Sequence, residues 1–86
     1  MNYQPLHVDR DHYYSVGIDE ESGEYLMEVV ITWIAWYSIY FRLLPEEVEA
    51  FKHDSDALRE LSYELAKDRG NEKFKDRVVL NERPGR

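Results

Sequence analysis

YLMEVVITWIAWYSIYFRLL, residues 25–44, runs for twenty positions without Gly or Pro and with only two charges, Glu28 and Arg42, inside an 86-residue chain of formal net charge -7. Its larger apolar residues fall at odd positions: Tyr25, Met27, Val29, Ile31 and Trp33, then Tyr37, Ile39, Phe41 and Leu43. A period of two is the signature of a strand with one buried face. One unbroken strand of this length would extend about 65 Å at ~3.3 Å per residue, too far for a domain of this size, so the chain must reverse between Thr32 and Trp36. A two-residue loop at Ile34-Ala35 pairs Trp33 with Trp36 and gives the two strands opposite parity. A three-residue reversal pairs Trp33 with Tyr37 and keeps the odd face inward on both, and is favoured. Ile-Ala-Trp is poor turn chemistry, which leaves a bulged or bent connection open; a continuous helix over 25–44 is the competing reading.

Outward from this stretch, HYYSVGI (12–18) alternates as a preceding strand, and Asp19-Glu20-Glu21-Ser22-Gly23 supplies the turn of an antiparallel hairpin. On the other side, Pro45 followed by Glu46 and Glu47 is a helix start, with Pro at the first position and acids at the positive end of the helix dipole. That helix reaches about Lys52, with Val48 and Phe51 toward the sheet. A second start at Asp54-Ser55-Asp56 precedes a stripe of Leu58, Leu61 and Leu65, with Gly70 as the C-terminal cap. Phe74, Val78, Val79 and Leu80 then dock as a turn of helix or a short edge segment. The expected fold is α+β: a three-stranded antiparallel meander followed by two helices on one sheet face, β-β-β-α-α. The chain reads as one domain, with residues 1–11 an irregular lead-in, 12–80 the folded core and 81–86 a flexible tail.

Composition narrows the function classes. Cysteine is absent, which removes disulfides, thiolate metal sites and thiol catalysis and fits a cytoplasmic setting. MNYQPLHVDRDHYY lacks the basic and apolar regions of a secretory signal. Thirteen uncharged residues between Glu28 and Arg42 fall short of the roughly 18 to 20 of a spanning helix, so no membrane segment is expected. Residues 1–66 hold fourteen Asp/Glu against four Lys/Arg, net -10, while 67–86 hold four against seven, net +3. An acidic body repels phosphate backbones, which argues against nucleic acid, and attracts a basic protein.

HVDRDH (7–12) resembles the H-x-H-x-D-H metal signature of metallo-β-lactamase-fold hydrolases, with Asp9 in place of the middle His. His7, Asp9, Asp11 and His12 are metal-ligating types, but the likeness covers six residues, that fold needs more than twice this length, and only His53 lies outside the motif. DEESGE (19–24) has calcium-loop composition but strand patterns flank it, whereas an EF-hand loop sits between helices. Ser15, Ser22, Ser38, Ser55 and Ser62 have no companion motif, and no phosphate loop or nucleophile elbow is present. The expectation is a non-enzyme without catalytic residues, cofactor or metal.

Two surfaces are candidates for contact. The even face of the long hairpin carries Leu26, Glu28, Val30, Thr32, Trp36, Ser38, Tyr40 and Arg42; it is either covered by a chain end or offered to a partner, with Trp36, Tyr40 and Arg42 as contact residues. Opposite the leucine stripe, Asp56, Glu60 and Glu64 form an acidic helix face that is either simply solvated or steers a basic partner. In size, acidity, lack of cysteine and element order over residues 12–80, the chain resembles small bacterial immunity partners of secreted toxins. The resemblance implies a cytoplasmic inhibitor that occludes a basic toxin domain and does no chemistry. The alternative is a domain that forms a homodimer through its even sheet face.

Overall fold

Among the described residues, the odd positions of the long apolar stretch turn to one side of an antiparallel pair. Strand β3 (Tyr25–Thr32) and strand β4 (Trp36–Arg42) run in a register of Ile31 opposite Tyr37 and Met27 opposite Phe41. The computed structural model describes residues 1–32 and 36–82, so the reversal at 33–35 lies outside the described residues. The last pair before it is Thr32 with Trp36, in place of the expected Trp33 with Tyr37. Both registers are three-residue reversals and preserve parity, so Met27, Val29, Ile31, Ile39, Phe41 and Leu43 are buried together.

The sheet has five strands in chain order, a correction to the three expected. Strand β1 (Tyr3–Asp9) occupies what read as an irregular lead-in and pairs antiparallel with β2 (Tyr14–Asp19). It hid from the pattern because its register shifts between Pro5 and His7; the bulge breaks the period of two, and a bulge on an edge strand is where Pro is tolerated. Strand β5 (Val78–Asn81) pairs antiparallel with β4 on the other edge. Its four residues are too few to show a period, and their partner lies far back in the chain. Of the expected tail, 83–86 lie outside the described residues.

Local chemistry explains the joints. In the β2–β3 turn Gly23 adopts φ 78°, donates its N–H to the Asp19 carbonyl at 2.7 Å, and leaves Asp19 to hold the turn from its side chain. One carboxylate oxygen of Asp19 accepts the N–H groups of Asn2 (2.9 Å) and Glu21 (3.0 Å), and the other the Ser22 hydroxyl (2.9 Å). Helix α1 (Pro45–His53) starts at the expected proline, and Glu47 accepts the Leu44 N–H at 2.8 Å. Helix α2 (Arg59–Asp68) begins three residues after the expected start, beyond a turn in which the Asp54 carbonyl accepts the Ala57 N–H at 3.0 Å. It ends through Arg69 (φ 54°) and Gly70 (φ 71°), both in the left-handed conformation that terminates helices. A single 3-10 turn, Lys75–Arg77, leads into β5.

Both helices lie on the odd face. Leu58, Leu65 and Phe74 join the buried cluster, and Val48, Phe51 and Leu61 pack against it. Phe41, with no exposed surface, is the largest fully buried side chain; sequestering an aromatic of this size contributes about 1.5–3 kcal/mol. No helix among the described residues is long and apolar enough to cross a membrane.

Candidate functional site

The even sheet face is partly closed. Gly17 makes this possible: a Cβ there would stand 2.9 Å from the Pro5 Cα and press on the Gln4 carbonyl, so only glycine lets β1 lie this close. Beyond its bulge, β1 brings the Tyr3 ring edge-on to Tyr40, centroids 5.1 Å apart, and Leu26 becomes fully buried. Beneath this cover, Glu28 is a polar hub. It accepts hydroxyls from Ser15 (3.0 Å), Ser38 (2.7 Å) and Tyr40 (3.3 Å), and the Tyr3 hydroxyl lies 2.7 Å from the Ser15 oxygen. Burial pushes the Tyr3 phenol up to about 12. Tyr40 is raised further, by burial and then by the adjacent Glu28 charge. Both phenols therefore stay protonated at neutral pH.

The expected contact residues separate accordingly. Trp36 stands open, 67% exposed. Tyr40 is half-buried under Tyr3, and Arg42 is held by Glu24 at 2.6 Å. On the helix side Asp56 contacts Arg59 at 3.2 Å and His7 at 3.5 Å, Glu64 contacts Lys73 at 3.3 Å, and Glu60 is exposed. The two expected groups are thus on opposite sides of the sheet.

They are joined by residues that sequence reasoning missed. Tyr13 lies in the turn that precedes β2, a correction to the strand expected from His12; it is 48% exposed and meets Trp36 edge to face at 5.7 Å. Tyr63 on α2, 62% exposed, meets His12 edge to face at 6.2 Å. The two edge-on pairs, Tyr63 with His12 and Tyr13 with Trp36, are linked by the adjacent chain positions 12 and 13 into an aromatic belt. A groove of about 370 Å³ on the even side is lined by Pro5, Val8, Tyr13, Val30 and Trp36, with Asp9, Arg10, Ser15 and Glu28 among its polar residues. A second, about 450 Å³, lies toward α2 between Tyr13, Val30, Tyr63, Ala66 and Lys67. Tyr13 is the ridge between them, held there by a left-handed backbone (φ 56°) whose carbonyl accepts the Val30 N–H at 2.9 Å.

A signal for Tyr63 existed in the sequence: it sits off the Leu58/Leu61/Leu65 stripe, between Glu60 and Glu64, where a large aromatic gains nothing from the core. Tyr13 gave none, because in an alternating strand it reads as another strand residue. Exposed aromatic faces edged by carboxylates suit Lys and Arg side chains, which find a ring face and a counter-charge together. No protein-family model, curated protein or solved structure matches the chain.

Proposed function

We propose that this chain is a protein-binding module that takes a basic partner on the belt Tyr63–His12–Tyr13–Trp36. The observation that carries this reading is the two edge-on aromatic pairs, exposed Tyr63 with half-buried His12 and exposed Tyr13 with exposed Trp36, linked at positions 12 and 13, with Glu60 and Glu64 beside Tyr63 on α2. Exposed rings of this size are enriched among binding hot spots, whereas the surrounding carboxylates chiefly accelerate encounter. The resemblance to small acidic immunity proteins supplies the target class: a basic toxin domain, inhibited by occlusion in the cytoplasm without chemistry. Self-association through the even sheet face is the second reading. The cover that Tyr3 places over Tyr40 and Leu26 narrows the apolar surface on which it depends.

The test is affinity capture from the native cell lysate at low and high salt, with molar mass measured on the same sample. Two variants accompany the wild type, Trp36→Ala/Tyr63→Ala and Glu60→Lys/Glu64→Lys. A basic protein that wild type captures, that salt releases and that both variants lose is the expected result. A homodimer with nothing else bound sinks the foreign-partner reading in favour of self-association.

A further inference from the structure

We propose that His7, Asp9 and Asp56 form a binding site for a divalent transition-metal cation of the zinc class, which enters by displacing the Arg59 guanidinium. His7 and Asp9 are two apart on β1 and so share a face, and the turn before α2 brings Asp56 to them from the far side of the chain. One ligand atom from each residue lies within 4.8 Å of the other two, and His7 Nε2 is 3.5 Å from Asp56 Oδ1. Ligands held about 2.0–2.2 Å from a tetrahedral zinc ion sit roughly 3.3–3.5 Å apart, so one edge of the site is already set and a small closure brings in Asp9.

The surroundings are those of a cation site. His12 Nδ1 lies 2.9 Å from Asp9 Oδ1, which also accepts the His12 backbone N–H at 3.2 Å. An ionised carboxylate only accepts, so the imidazole donates, and Oδ2 is left facing inward; outer-shell hydrogen bonds of this kind orient metal ligands. Arg59 Nη2 stands 3.3 Å from Asp9 Oδ2 and 3.2 Å from Asp56 Oδ1, so the two carboxylates already hold a positive charge between them. Two buried polar atoms, His7 Nε2 and Tyr14 Oη, have no hydrogen-bond partner among the described residues. Tyr14 is only 2% exposed and packs edge-on to the His7 ring at 6.4 Å. Buried polar atoms without partners are uncommon. A cation at this point gives His7 Nε2 the partner it lacks. One imidazole with two carboxylates suits Zn²⁺ or Co²⁺ better than Mg²⁺ or Ca²⁺.

The experiment is calorimetric titration of the full, chelator-stripped chain with Zn²⁺ at neutral pH, with Co²⁺ absorbance as a report on coordination. One equivalent is expected, weakened at least about tenfold in His7→Ala and Asp56→Asn, tightened in Arg59→Ala and unchanged in His53→Ala. Far-ultraviolet circular dichroism checks that each variant folds, and Asp56→Asn, at an exposed position, decides the matter if His7→Ala does not. Absence of saturable one-to-one uptake, or uptake indifferent to Asp56→Asn, overturns the site.

Discussion

Glu28 shows how a single side chain can organise a face. Three hydroxyls from the two flanking strands, Ser15 on β2 and Ser38 and Tyr40 on β4, donate to it, so Glu28→Ala strands all of them under the Tyr3 cover. A loss of about 1–3 kcal/mol is expected by urea denaturation, with Glu28→Gln, which keeps an acceptor, losing less. An alanine variant as stable as wild type would show that the hub is bypassed by solvent. Gly17 acts by lacking a side chain: Gly17→Ala forces Cβ against Pro5 and Gln4 and is expected to cost about 1–3 kcal/mol as overpacking. The loss should appear first as faster amide exchange in β1, and uniform exchange across the sheet would contradict the close approach. At this scale the buried odd positions, Pro45, Gly23 and Gly70 could all be read in advance, because each acts through its immediate neighbours. Asp56 could not be joined to His7 and Asp9, since only the finished fold brings them together.

Among elements, the interior ones were readable and the edges were not. Strands β3 and β4 announce themselves because a covered face demands strict alternation. Strand β1 is open along one side, so its outward residues are unconstrained, and the bulge at Leu6 moves what remains of the pattern out of phase. Strand β5 depends on what precedes it. The Asp68 carboxylate accepts the N–H groups of Lys73 (2.9 Å), Phe74 (3.2 Å) and Glu72 (3.4 Å), folding the chain back so that Phe74 enters the core and β5 reaches β4. Asp68→Ala is therefore expected to lower the thermal midpoint and to loosen β5 before the remainder of the sheet. Amide exchange at Val78 to Asn81 measures this, and unchanged protection there would refute the role given to Asp68.

For the molecule as a whole, acid is the condition that dismantles it. Three carboxyl groups are held below the ordinary carboxylate range: Asp9 by the His12 hydrogen bond, Asp19 by the Asn2 N–H, and Asp68, where burial pushes upward, by the N–H groups of Lys73, Phe74, Glu72 and Gly70. A folded value below the unfolded one means that the unfolded chain binds more protons in that window. Their contribution is complete above the unfolded value of about 3.9 and drains away as pH falls through the folded values. Thermal midpoints measured from neutral to strongly acid pH should hold until roughly that value and then drop, less steeply in Asp68→Asn. A midpoint insensitive to acid would mean that these carboxyls are unperturbed.

The strand order of the sheet is also its order of synthesis. The first four strands, each antiparallel to the one before it, precede both helices in the chain and so leave the ribosome ahead of them. Until the helices follow, the nascent meander carries Met27, Val29, Ile39 and Phe41 on a bare face, and the chain that will cover it, Leu58 and Leu65, is still enclosed in the ribosome. Partly made sheets with uncovered apolar surface are prone to misassociation. The interval between the emergence of Arg42 and that of Leu65 is therefore when the apolar face of this chain is most open to misassociation.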